Sequence, residues 1–336
     1  MPKVVVCIPA YNRREMFRAT LWSVLNQTYR DIEVIVSDNA SGEDLQSEVT
    51  AANDPRVIYT RRKENVGATG NFSFLQTLVT AEYVIYLCSD DLLLPDCVEK
   101  VIAVLDKNPD RGGAVYMAAH YSEEGFLYLS SMPDRTYATA TEYTGDPTVR
   151  DFRYTAPSLF CFRRAVFDRL GGWNKNLLAI GDWELYTRMV KQGGGIIYIH
   201  EALAIIRQHG NRDSNTTALN WGFYHDVMLL SAQPEYSRGN AYRMAIILEQ
   251  LARDFRLKRS PWPTLKHAYD TGAFPGVLLY LPWEVLRRVG AKLRAFLRGP
   301  APGKAALPAP TDRPAHFDRD RFDRFWRSSE TVRLTS

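Results

Sequence analysis

The first half of the chain alternates short apolar runs with stretches whose apolar residues recur three and four apart. Lys3 to Pro9, Ile32 to Asp38 and Tyr83 to Cys88 lack polar alternation, so they read as strands covered on both faces. Arg56 to Thr60 reads as a third, shorter strand, and Pro9 should end the first because proline cannot donate to a ladder. Between them, Arg13 to Gln27 and Phe72 to Val79 have helical spacing, with Ser41 expected to cap the helix after the second strand. Strands alternating with helices predict an α/β fold with a mostly parallel central sheet flanked by helices.

The pattern continues with a helix from Leu92 to Leu105, carrying Pro95 in its first turn, and a strand from Gly112 to Met117. Residues 122–150 are polar and turn-rich and read as a hairpin or loop. Ala156 to Phe162 reads as a strand, Arg163 to Leu170 as a helix broken by Gly171 and Gly172, and Leu178 to Glu184 opens a helix running to Gln192. Ile196 to His200 is a further strand, and Arg207 to Ser214 a polar loop. Beyond about residue 217 the chain turns helical, over 220–230, 240–255 and 282–297. A Pro/Ala-rich linker at 299–314 and a short aromatic helix from Phe317 to Trp326 follow. The expected organisation is a catalytic domain over 1–218, divided into a nucleotide half (1–95) and an acceptor half (96–218). A helical extension over 219–298 and the segment 299–336 complete it.

Three strand ends carry the candidate chemistry: Pro9 to Asn12, Asp38-Asn39 and Ser89-Asp90-Asp91. In an open α/β sheet they share the edge where ligands bind. Adjacent carboxylates at the end of a buried strand are costly unless neutralised. A hard divalent cation, Mg²⁺ or Mn²⁺, shared with a diphosphate would satisfy them. The bland alternative is an Asp cap on the helix that follows.

Composition narrows the class. With 336 residues, 46% hydrophobic and 24% charged, the chain can bury a sizeable core. A net charge of +4, with no basic run interleaved with aromatics in the first two-thirds, argues against a nucleic-acid partner. Cys7, Cys88, Cys97 and Cys161 show no CxxC spacing and read as reduced, buried thiols. The chain starts directly on a strand, and its longest apolar stretch, Ala273 to Leu281, is too short to span a bilayer. A cytoplasmic protein is expected. Trp283 to Arg298 is a basic amphipathic stretch with Arg287, Arg288, Lys292, Arg294 and Arg298. Residues 276–298 therefore read either as an interfacial helix, peripheral on the inner face of the membrane, or as a helix docked on the domain.

The ordered motifs Ile8-Pro-Ala-Tyr-Asn12, Ser23 to Thr28, Val36 to Ser41, Asn65-Val-Gly67, Ser89-Asp-Asp91 and Gly181-Asp-Trp-Glu184 resemble those of the family 2 glycosyltransferases of the GT-A fold. The resemblance covers roughly residues 3 to 215. It implies a GT-A domain with an inverting, metal-dependent transfer of sugar from a nucleotide-sugar, UDP-linked, to a glycan or lipid-linked acceptor in cell-surface polysaccharide synthesis. It places Pro9, Ala10, Tyr11, Asn12 and Arg14 around the nucleotide, with Asp38 and Asn39 at the base or ribose; the family usually has a second acid at position 39. Asn65, Gly67 and Asn71 would approach the sugar-nucleotide, and Ser89, Asp90 and Asp91 the diphosphate. Asp91 and His209 are the implied metal contacts, and Asp182 the implied general base, preceded by Gly181 where the family usually has Glu. Arg207 or His209 could add positive charge at the leaving diphosphate. Asp182 could instead cap its helix, and Glu184 is the fallback base. Trp183 reads as core, while Trp173 is either core or acceptor wall. A sugar-phosphate nucleotidyltransferase would want a Gly-rich basic loop at Pro9–Asn12, and a non-catalytic binding module would not need Asp90, Asp91 and Asp182. A glycosidase would not need the nucleotide-side motifs.

Overall fold

The apolar runs of the first ninety residues assemble into one sheet whose strands point the same way. In the computed structural model, β1 (Val4–Ala10), β2 (Ile32–Asp38), β3 (Val57–Arg61) and β4 (Tyr83–Tyr86) lie parallel in the order β3-β2-β1-β4. The structure describes residues 2–130, 156–210 and 318–334, the backbone of 140–143, and six positions between 226 and 266. The three helices between these strands are α1 (Arg14–Leu25), α2 (Gln46–Ala52) and α3 (Gly67–Gln76). Every residue of β4 is buried, as its unalternating sequence requires. Pro9 does not end β1: it sits opposite Ser37, and Ala10 still pairs with Asp38. The carbonyl of Ala10 accepts from the Asn39 N–H at 2.8 Å.

Past β4 the pattern changes. The expected helix from Leu92 begins only at α4 (Cys97–Asp106), because Leu92–Leu93 forms a short strand, β5, against the end of the longest described strand. Asp91 is therefore not a helix cap. β6 (Gly113–Ser122) folds back through a hairpin into β7 (Gly125–Leu129), and β8 (Ala140–Tyr143) pairs antiparallel to β10 (Ile196–Arg207). β10 runs parallel to β6 and is much longer than Ile196–His200, carrying Arg207 into the sheet.

The expected strand from Ala156 is instead a 3₁₀ turn, Pro157–Leu159, followed by β9 (Phe160–Arg163). Proline fixes φ and offers no N–H to a ladder, so pairing starts after it. β9 wedges antiparallel between β4 and β6. It passes so close to β6 that a Cβ on Gly113 would lie 2.5 Å from the Cys161 carbonyl oxygen. Only glycine fits there. After β9 come α5 (Arg164–Arg169) and α6 (Gly181–Gln192).

The final described helix, α7 (Arg319–Leu334), runs eight residues beyond the expected end at Trp326. Its apolar side is a core face. Phe325 stacks on Trp22 at 5.5 Å, and Trp326 on Tyr121 at 5.1 Å. Phe322, Phe325 and Trp326 join Leu92, Leu94, Met117 and Ile205 in one buried cluster. Asp323 accepts from the Tyr121 hydroxyl at 2.6 Å, and Arg321 pairs with Asp96. The chain divides into two compact units, Met1–Asn220 with Pro314–Ser336, and Trp221–Arg313. Apart from those six positions, the helices expected over 220–297, the linker at 299–314 and the basic stretch 276–298 lie outside the described residues, as does most of the segment 122–150 beyond β7 and β8. Among the described residues no helix is long and apolar enough to cross a membrane.

Candidate active site

The turn Ser89–Asp91 leaves β4 at the edge where β1, β2 and β10 also end, and buried donors hold its backbone. The Thr20 hydroxyl, on α1, lies 2.9 Å from the carbonyl oxygens of both Ser89 and Asp91. Arg207 donates through Nε to the Asp90 carbonyl, and through Nη2 to Met16 at 2.8 Å and to Thr20 Oγ1 at 3.0 Å. Arg207 is only 2% exposed and underlies the turn. Its backbone N–H donates to Asp91 Oδ1 at 3.2 Å. Ser158, delivered by the 3₁₀ turn, donates to Asp91 Oδ2 at 2.6 Å and accepts from the Cys88 N–H at 3.0 Å.

Asp90 faces two positive or ionisable groups through one oxygen. Arg13 Nη1 lies 2.9 Å away and His209 Nε2 lies 3.0 Å away. Arg13 escapes sequence reasoning because it depends on Asn12 and Arg13 both taking left-handed backbone, φ 54° and 59°. Neither residue type announces that conformation reliably. Arg14, expected at the nucleotide, puts its Nε 2.5 Å from Glu48, which Arg18 also grips at 2.5 and 2.8 Å. These pairs tie α1 to α2.

Cys88, Asp90 and Asp91 each offer a ligand atom, and the atoms lie within 4.8 Å of one another. Two carboxylates at that separation suit a hard divalent cation, and the thiol adds a softer neighbour. Cys7, Cys97 and Cys161 are buried thiols as expected, but Cys88 is half-buried and belongs to this group.

The base side is a set of cross-links between loops. Asp38 is fully buried. Its Oδ1 accepts from the Ser41 N–H at 2.8 Å, and its Oδ2 from the Tyr59 hydroxyl and Arg61 Nη1, each at 2.6 Å. Burial alone would push its pKa up; the hydrogen bonds from Ser41 and Tyr59 and the charge of Arg61 outweigh burial and hold it below the usual carboxylate range. Burial and the Asp38 charge push the Tyr59 phenol up to about 12. Ser41 does not cap α2; its Oγ accepts from the Asn12 N–H at 2.8 Å, and Asn12 Oδ1 accepts from Gly42 at 2.8 Å.

Asn39, where the resemblance leads one to expect an acid, uses both ends of its amide. It donates to Asn65 Oδ1 at 2.8 Å and to the Gly67 carbonyl at 3.2 Å, and accepts from the Val66 N–H at 3.0 Å. A carboxylate could not donate. Gly67 has φ 74°, with nothing within 4 Å of a Cβ, so its conformation rather than space calls for glycine. Asn71 is buried against Ser37, with contacts of 2.5 and 2.9 Å that fix α3 on β2. Tyr11 is 41% exposed.

Asp182 is the second residue of α6, and the cap position belongs to Ile180. Asp182 is 9% exposed, whereas Glu184 is 1% exposed and gripped by Arg188. Arg188 also donates to the carbonyls of Leu170 and Gly172 at 2.5 and 2.6 Å, so Glu184 anchors a loop and is a poor base. Trp183 packs partly buried on the core. Trp173 is core: 5% exposed and edge-on to Tyr86 at 5.1 Å.

A mostly parallel sheet with an antiparallel strand wedged between β4 and β6, and paired acids where a central strand ends, defines a GT-A fold. Solved structures agree. A fragment of TarS from S. aureus in complex with UDP-GlcNAc superposes with a TM-score of 0.61, at 17% identity, over 80% of each chain. The mannosyltransferase PcManGT from Pyrobaculum calidifontis, in complex with GDP-Man and Mn²⁺, gives 0.51 at 19% identity over 99% of this chain and 85% of that one. Residues 5–171 match Glycosyl transferase family 2. A GalNAc(5)-diNAcBac-PP-undecaprenol beta-1,3-glucosyltransferase of Campylobacter jejuni is 34% identical over 286 residues, covering 76% of this chain and 85% of that protein. The putative colanic acid biosynthesis glycosyl transferase WcaA of Escherichia coli K12 is 26% identical, covering 79% and 92%. The chain belongs to glycosyl transferase family 2 and is a glycosyltransferase.

Proposed function

We propose that the protein is an inverting, divalent-metal-dependent hexosyltransferase. In this reading it moves a sugar from a UDP-sugar to a glycan carried on a lipid diphosphate, in cell-surface polysaccharide synthesis. The observation that carries the reading is the Ser89–Asp91 turn, with two buried acids braced by Thr20, Ser158 and Arg207 at a ligand-binding sheet edge. The relative from C. jejuni is named for an undecaprenol-linked acceptor, and another from E. coli for UDP-Glc and a GlcNAc-diphosphoundecaprenol.

Asp91, with Asp90 and Cys88 beside it and His209 near, would hold the cation, which supplies Lewis-acid stabilisation of the departing diphosphate. Arg13 and His209 orient the Asp90 carboxylate. Tyr11 and Asn12 line the nucleotide side, and Asp38 frames it by joining the loops after β1, β2 and β3. Asp182 accepts the proton of the acceptor hydroxyl as that oxygen attacks the anomeric carbon. Residues 276–298 would bring the enzyme to the anionic membrane surface that carries its acceptor.

A thermal-shift series of UDP- and GDP-sugars with and without Mn²⁺ tests the donor side, since a ligand of the folded state raises the melting temperature. A UDP-sugar that stabilises only with Mn²⁺, and is then consumed with a GlcNAc-diphospholipid, is the expected result. Stabilisation by a sugar 1-phosphate and UTP with release of diphosphate would instead identify a nucleotidyltransferase.

A further inference from the structure

One aromatic group near the site has no part in the scheme above. Tyr128, on β7, stacks on the imidazole of His120, on β6, with centroids 4.3 Å apart and planes 15° from parallel. The two residues are register partners across the hairpin. The imidazole is held at both nitrogens: Gln208 Nε2 lies 2.8 Å from Nδ1, and Ser130 Oγ lies 3.0 Å from Nε2. Tyr128 keeps 48% of its surface exposed. A rigidly backed tyrosine that leaves half its area in water costs little conformational entropy when it binds something.

Its position ties it to the reaction. Gln208 stands between Arg207, whose N–H holds Asp91, and His209, which meets Asp90. Along β6, alternation puts Tyr116, Ala118 and His120 on one face and Met117, Ala119 and Tyr121 on the other. The second face is covered by α7. On the first, Tyr116 donates to the carbonyl of Ser158, the residue that donates to Asp91, and Phe160 beneath it stacks on Tyr186 of α6. That is the face on which α6 carries Asp182. Tyr128 therefore extends, toward the ligand edge, the sheet face that bears the proposed base.

We propose that Tyr128, backed by His120, is a stacking platform for a pyranose ring of the acceptor. The inference rests on the glycan-acceptor reading above. A sugar presents an apolar C–H face with a polar rim. Tyr128 offers a ring face, with Ser130 and Gln208 as polar neighbours.

The test uses the full-length protein, UDP and Mn²⁺, with a panel of GlcNAc-, GalNAc- and Glc-diphospholipids in detergent, measured by equilibrium binding and by transfer from UDP-sugars. Tyr128→Ala should weaken acceptor binding and raise acceptor KM by about three- to tenfold, the range expected of one aromatic stack. Donor KM and kcat should hold, since the lost contact is made equally in ground and transition states. Tyr128→Phe should stay near wild type. If Tyr128→Ala does not fold, Tyr128→Leu against Tyr128→Phe makes the same comparison at similar volume. Equal acceptor binding by wild type and the Ala or Leu variant overturns the platform, as does loss of UDP binding in those variants or failure of wild type to bind the whole panel. Binding that depends on Tyr128 without product leaves the platform standing and overturns the transferase assignment for those acceptors.

Discussion

At the scale of single residues, the proposal gives some acids to metal and base, while others hold loops. Asp91 has one oxygen on Ser158 and the other on the Arg207 N–H, and still lies within ligand distance of Asp90 and Cys88. Asp91→Asn keeps shape and removes charge, so Mn²⁺-dependent stabilisation by a UDP-sugar should vanish while the fold persists; unchanged metal dependence in a titration would remove Asp91 from that role. Asp182→Asn should lower transfer ~10²–10⁴-fold, the usual value of general-base assistance, with donor affinity unchanged. Near wild-type transfer would sink the inverting scheme. Glu184 is no substitute, being committed to Arg188.

Asp38 behaves differently. Its folded pKa is depressed below its unfolded value, near 4, so its contribution to stability is present above that value and is lost as pH falls through the folded one. Asp38→Asn should cost about 2–3 kcal/mol at pH 7, as expected for hydrogen bonds to a buried charged group. Urea melts of the two proteins should converge as pH drops below 4; a gap that stays constant would mean the charge is not what stabilises.

At the scale of elements, α7 changes the picture most. It lies far along the chain from the motifs, yet packs on α1 and β6, the elements that carry Thr20 and Tyr121. Glu330 comes within 4.0 Å of Arg207, which holds the turn of Asp90. Trp326→Ala should destabilise the protein by about 3–5 kcal/mol, the range for deleting a buried aromatic. Cutting the chain after residue 317 should lower the melting temperature and weaken Mn²⁺-dependent donor binding together. Retention of both would make α7 a dispensable cover.

At the scale of the whole molecule, the proposed lipid-borne acceptor would require the enzyme to meet a membrane surface. The basic stretch holds Arg287, Arg288, Lys292, Arg294 and Arg298 against one acid, Glu284. Because α7 follows it in sequence and belongs to the catalytic unit's core, a truncation that removes both would confuse anchoring with folding. Replacing Arg287, Arg288, Lys292 and Arg294 by Gln avoids this. Each basic residue near an anionic surface contributes about 1 kcal/mol, so partition onto phosphatidylglycerol vesicles should fall by at least a hundredfold. Equal co-sedimentation would favour a helix docked on protein.

The sequence by itself determined the parallel half of the sheet and the candidate site's main acids. Short unalternating apolar runs bounded by turn residues read as buried strands, and acids at their ends share an edge by topology, which is why Asp38, Asp90 and Asp91 were legible. Asp182 was marked only by the resemblance of Gly181-Asp-Trp-Glu184 to a family motif. What it could not supply were contacts set by distant parts of the chain. Leu92–Leu93 is a strand because β10 runs alongside it, and Arg207 is buried because Thr20 and the Asp90 carbonyl take its donors. Arg13 reaches Asp90 in a loop where Asn12 and Arg13 both turn left-handed. Ser158, Cys88 and α7 join the site's surroundings only through tertiary packing. Local periodicity decides which residues are buried; which buried polar groups meet is decided by where the folded chain brings donors to acceptors.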